Sequence, residues 1–192
     1  MLVSFTRLTV LGLGALLALG GIAAEASNVL HMNLRDLVAR ADRIVRGTVL
    51  ESEEGTLAIG NGVLPIVTYR IRVEETLKGG ASVGDVIEVR LLGQIKPTSS
   101  GRYRRASVLR DLPQFTVGRD YLFVLTRPSS IGLSTTVGLG QGLFRVAGHP
   151  GDEQAVNEAH NLGLFRGIQG APQAPGPVPY ATLVKQIRTL VQ

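Results

Sequence analysis

Three groups of residues in this chain are of types that do chemistry. His149 and His160 flank Asp152, Glu153 and Glu158, imidazole and carboxylate donors that bind transition metals when they converge. Their spacing matches no compact zinc pattern such as His-Glu-x-x-His, so they read as solvated loop residues, and no metal or other cofactor is expected. Gly138, Gly140 and Gly142 form a glycine-rich run. A phosphate cradle needs a helix to begin directly after it, so that N–H groups point at the anion. Leu143, Phe144, Arg145 and Val146 alternate like a strand instead, which predicts a bulge or a tight strand entry. The third group is Arg102, Tyr103, Arg104, Arg105 and Arg110, a basic cluster with an aromatic inside it. Such a loop can track a phosphate or sulfate backbone; the alternative is a solvated stretch that keeps the protein soluble.

Nucleophilic catalysis has little to work with. The chain has three histidines and no cysteine, and no Gly-x-Ser-x-Gly elbow that would expose a serine above a sheet. A non-enzymatic role is therefore expected. The absence of cysteine also excludes a disulfide framework and a lipid-modified cysteine, so the fold must rest on core burial alone.

The elements that would carry these groups follow from periodicity. Arg7 precedes an apolar run from Leu8 to Ala24 that closes in Ala24, Glu25 and Ala26, the pattern of a secretory signal peptide over residues 1–26, cleaved before Ser27. Asn33 can cap a short helix with Leu34, Leu37, Val38 and Ala41 on its dry side. A first strand runs over residues 43–54. Gly60, Asn61 and Gly62 then give the strongest turn signal in the chain, with Asn-Gly supplying the positive φ values of a type I′ hairpin. In residues 65–80, Val67, Tyr69, Ile71 and Val73 alternate with Thr68, Arg70, Arg72 and Glu74, the period of a strand with one dry and one wet face. Ile87, Val89 and Leu91 repeat that alternation in a third strand.

Residues 93–113 read as a long polar loop that holds the arginine cluster. Phe115 and Val117 resume an apolar pattern, and residues 121–125 form a buried strand. Short strands are expected at 134–137, 143–146, 155–156 and 163–165. Residues 167–179 read as a proline- and glycine-rich linker, and Leu183, Val184, Ile187, Leu190 and Val191 as the stripe of a terminal helix over residues 180–192.

Three segments carry a family resemblance: ADRIVRGTVLESEE (residues 41–54), TYRIRVEETLKG (68–79) and LPQFTVGRDYLFVL (112–125). They resemble the netrin-like family, which includes the tissue inhibitors of metalloproteinases, and most closely its cysteine-free bacterial exported relatives. The likeness covers about residues 41–125. It implies a mainly β fold, a five- or six-stranded antiparallel barrel of the oligonucleotide/oligosaccharide-binding type over residues 27–166. A short N-terminal helix would lie as a lid on one end, with a C-terminal helix after the linker. It also implies binding or inhibition rather than catalysis. Family inhibitors chelate a protease zinc through an amino-terminal cysteine, whereas Ser27 stands at the expected terminus here, without the disulfides that fix that terminus.

The expected role is thus a periplasmic or extracellular binding module with no stable membrane insertion after cleavage. Its partner would be an exported protein, a metalloprotease among the candidates, met through Ser27 and the cluster of Arg102, Tyr103, Arg104, Arg105 and Arg110. The alternative is an anionic polymer held by the residue 102–110 loop, in keeping with the net charge of +5.

Overall fold

The computed structural model describes residues 31–93 and 112–192. They form a mainly β body: two long strands, β1 (Arg43–Ile59) and β2 (Gly62–Lys78), then β3 (Val86–Leu92), β4 (Asp120–Leu125), β5 (Leu143–Ala147), β6 (Gln154–Asn157) and β7 (Val178–Pro179), with helices α1 (Leu34–Arg40) and α2 (Tyr180–Val191). All pairs are antiparallel, in the order β3-β2-β1-β4-β5-β6-β7.

The sheet is not closed into a barrel, because its end strands β3 and β7 do not pair with each other. The sequence-based expectation of five or six strands in a ring therefore becomes seven in an open sheet. Part of the expected ring does exist as irregular chain. The segment read as a strand at 134–137 makes one isolated bridge, Thr136 to Leu125. The Ser134 N–H reaches the Arg90 carbonyl of β3 at 2.9 Å, while Thr135 and Val137 bond Thr126 and Val124 beside β4. The space between β3 and β4, not that between β3 and β7, is thus bridged by hydrogen bonds without a continuous ladder.

Burial explains why β4 carries no polar alternation after Asp120. Leu122 and Val124 point into one core with α1, α2 and Phe144. Tyr121, Phe123 and Leu125 point into a second with Val67, Tyr69, Ile71 and Val73. A strand covered on both faces loses the polar alternation seen in β2, and each of its large apolar side chains contributes roughly 1.5–3 kcal/mol of burial. Phe115 centres the second core, its ring 4.6 Å from Tyr69 and 5.0 Å, edge on, from Phe123. Val117 lies in the turn before β4 and is exposed.

The helices follow their stripes. The Asn33 Oδ1 accepts the Asp36 N–H at 2.9 Å as the cap of α1, and the Lys78 ammonium donates to the Val38 carbonyl at its other end. The helix does not lie as a lid across a barrel end. Leu34, Leu37 and Val38 put it on the sheet face beside α2, whose Leu183, Val184 and Ile187 are buried in the same core. The expected linker is docked as well, since Val178 is buried and pairs with Ala155 of β6. Residues 163–165, read as a strand, form turns whose Leu164 and Phe165 plug that core. Among the described residues no helix is long and apolar enough to cross a membrane.

Candidate functional site

Ser27, Arg102, Tyr103, Arg104, Arg105 and Arg110, together with the expected signal peptide, lie outside the described residues. Among the described residues no group of three or more His, Asp and Glu is placed to hold a metal ion. His149, Asp152, Glu158 and His160 are exposed, and Glu153 is turned to a cation. The glycine run opens no phosphate cradle. Leu139–Gly142 is a single 3-10 turn that passes directly into β5. Gly140 is pressed against the Glu158 side chain, and Gly142 against the Val137 carbonyl. These glycines serve close packing.

The densest polar constellation was not singled out by the sequence. Arg46 of β1 sits opposite Glu75 of β2 and Leu122 of β4. Its guanidinium donates to the Asp120 Oδ2 from Nε at 2.9 Å and from Nη2 at 2.6 Å, and to the Glu153 Oε1 at 3.2 Å. It also lies 4.6 Å from the centre of the Tyr180 ring, a cation–π arrangement. The Tyr180 hydroxyl donates to the Glu75 Oε2 at 2.6 Å, and Arg188 holds the other Glu75 oxygen at 2.8 Å.

Burial alone would lower the Arg46 pKa, but the hydrogen bonds and charges of Asp120 and Glu153 outweigh it and raise the value. Burial pushes the Asp120 carboxyl up despite its cationic partner, whereas Arg46 holds Glu153 down. The Tyr180 phenol is pushed well up, first by burial and then by the adjacent Glu75. Arg46, Glu75, Glu153, Tyr180 and Arg188 line an open cleft of about 540 Å³ with Val184, Lys185 and Thr189 of α2. Each carboxylate in the constellation is engaged by a cation or a phenol. The cluster therefore fastens α2 and β6 to β1, and its acids and bases are committed to one another.

A second feature lies at the other end of β1 and β2. β1 pairs with β4 only as far as Thr48, and β3 meets β2 only from Ile66 onward. Yet β1 and β2 continue together from Gly55↔Ile66 to Ile59↔Gly62, so residues 55–65 project as a two-stranded arm. Its turn carries positive φ at Gly60, at +55°, and not at Asn61. That is the type II′ pattern rather than the expected type I′. From Gly55 to Tyr69 there is no charged residue. Strand alternation puts Leu57, Ile59 and Leu64 on one face of the arm and Thr56, Ala58, Val63 and Pro65 on the other. Val63 is 63% exposed and Ile59 37%.

No known family model matches this chain, and no curated protein is similar to it.

Proposed function

We propose that this chain is an exported, non-catalytic binding module that engages another protein through the uncharged hairpin arm. One observation carries the reading: the arm is uncharged on both faces, and among the described residues none of its residues 55–65 belongs to either core. A projecting ribbon of this kind gains by burial against a partner, whereas an arm meant only for water would alternate apolar with charged residues, as β2 does at Arg70 and Arg72. The engaged acids and bases of the Arg46 cluster support a scaffold role for that end of the molecule. The resemblance to the netrin-like family, resting on the three segments quoted above, makes an exported metalloprotease the first partner to test.

The test is capture from the native exported fraction with the purified protein and with Val63→Glu, which charges an exposed position without touching the core. Loss of a specific captured protein in the variant supports the reading; the same set captured by both overturns it. Inhibition of a co-exported metalloprotease, removed by the same substitution, would identify the partner class. Retention on heparin that falls steeply with salt and ignores Val63→Glu would favour the anionic-polymer alternative. Mass spectrometry of the mature amino terminus checks the expected cleavage before Ser27.

A further inference from the structure

The arm has one open edge, and its geometry can be worked out from a single hydrogen bond. The Gly93 N–H donates to the Pro65 carbonyl at 3.0 Å, so the main chain of Pro65 faces the β3 side, away from β1. Thr56 is paired with Pro65. In an antiparallel ladder, opposed residues either exchange both hydrogen bonds or both turn outward. Thr56, and by alternation Ala58, must therefore present their N–H and C=O groups on the outer edge of β1. Among the described residues the ladder of β1 with β4 ends at Thr48 and Val49 bonds Gly118 and Arg119 just beyond it, so no described strand runs along Thr56 and Ala58. The opposite edge is shorter: Val63, paired with Ala58, turns outward there, but beside it Pro65 has no N–H to offer and its carbonyl is taken by Gly93.

We infer that the open β1 edge pairs with the same edge of a second copy of this chain, giving a two-fold dimer whose arms join as one four-stranded sheet. The inference rests on the reading of the arm as a protein-binding surface and assigns its edge to self-association, leaving the apolar faces of the joined sheet to the other partner. Three features select a second copy as the occupant. An isologous contact sets a segment against itself, so any charge in it would meet its own sign, and residues 55–65 carry none. With Thr56 opposite the partner copy's Ala58, Glu53 and Glu54 fall beside the turn of the other arm and not beside each other. Finally, a hairpin of two strands is marginal alone and gains from further strands, and one open edge per arm makes the assembly close at two instead of growing into a fibre.

In this arrangement Leu57 lies on the two-fold axis opposite its own copy, as a pair that exchanges no main-chain bonds and whose Cα atoms stand about 4.5 Å apart. That separation lies within the range a disulfide spans, and the chain has no native cysteine to compete. The experiment is therefore oxidation of purified Leu57→Cys, with Val83→Cys, at an exposed position, as the control. Sedimentation equilibrium of the wild type and of Thr56→Pro is run beside it. The expected result is a covalent dimer from Leu57→Cys formed about tenfold or more faster than from Val83→Cys. The wild type should show a reversible monomer–dimer equilibrium, and Thr56→Pro should remain a monomer that still captures the partner lost by Val63→Glu. Equal cross-linking rates for the two cysteine variants, a wild type that stays monomeric, or open-ended oligomers would each overturn the pairing. Capture that is unaffected by Val63→Glu would instead overturn the protein-binding reading of the arm faces.

Discussion

The guanidinium of Arg46 places two hydrogen bonds on one oxygen of Asp120, from Nε at 2.9 Å and Nη2 at 2.6 Å, and leaves the other oxygen, Oδ1, buried without a hydrogen-bond partner among the described residues. The pair is therefore attractive and costly at once. Arg46 favours the carboxylate, while burial of a half-satisfied anion disfavours it more, which is why the Asp120 pKa is raised and not lowered.

This predicts opposite pH signatures for the two acids on Arg46. Asp120, raised above its ordinary 3.8, binds its proton more tightly in the folded state. Its favourable contribution is present below 3.8 and is lost as pH rises through the folded value. Glu153, lowered from 4.5, contributes stability that is present above 4.5 and lost as pH falls through its folded value. Side-chain carboxyl NMR titration should show Asp120 above and Glu153 below their ordinary values. In Arg46→Met, Asp120 should move further up and Glu153 should return toward 4.5. An Asp120 titration unchanged by Arg46→Met would discard this account.

Removing the cation should cost more than removing the phenol. Arg46→Ala strands a partly buried Asp120 and takes away the Tyr180 contact, and should destabilise the fold by about 2–4 kcal/mol, below the full buried-pair figure because both partners keep some solvent. Tyr180→Phe loses one hydrogen bond to Glu75 while Arg188 still holds that carboxylate, for about 1 kcal/mol. Urea unfolding of the two variants gives the ranking, and the reverse order would refute it.

Asn157 and Asn161 form a reciprocal pair in which each side-chain oxygen accepts the other's main-chain N–H, at 3.1 and 2.7 Å. Asn161 adds bonds to the carbonyls of Ala155 and Gly176 and holds φ at +56°. Both Asn161→Ala and Asn161→Gly lose the side-chain bonds, but only alanine meets the left-handed backbone with a Cβ. Alanine should therefore be the more destabilising, by about 1 kcal/mol beyond glycine. Equal midpoints in urea would mean that the turn relaxes out of its left-handed geometry.

The glycine run should respond unevenly to a methyl group. At Gly142 a Cβ meets the main-chain carbonyl of Val137, a residue held in place by its N–H bond to the Val124 carbonyl of β4. At Gly140 it meets the Glu158 side chain, which is exposed and can swing away. Gly142→Ala should cost about 1–3 kcal/mol and Gly140→Ala less, as thermal unfolding would show.

Much of the architecture is legible in local pattern. The alternation of Val67, Tyr69, Ile71 and Val73 predicts their burial because side-chain direction along a strand has a period of two whatever the strand packs against. The Asn33 cap and the stripe of Leu183, Val184 and Ile187 are local in the same sense. The expected strand at 134–137 failed because its apolar and hydroxyl residues satisfy their main-chain groups with two different strands, and no window of sequence contains both. Arg46 had a usable signal: it stands two residues from Ile44, in the inward phase of an apolar strand, where a charge needs a buried partner. Which partner was beyond reach, since Asp120 and Glu153 are 74 and 107 positions away.

The uncharged stretch from Gly55 to Tyr69 could be read from the sequence, but it looks the same whether its strands lie inside a sheet or beyond it. Composition and periodicity by themselves determined a mainly β chain without covalent cross-links, its capped helix and the dry faces of its strands, because these depend on neighbours a few residues apart. Only the tertiary structure decided that the sheet stays open, that Arg46 meets Asp120 under Tyr180, and that β1 and β2 outrun their flanking strands to leave Thr56 and Ala58 on an open edge. Those outcomes depend on where strands stop relative to one another, a register set by packing across the whole molecule.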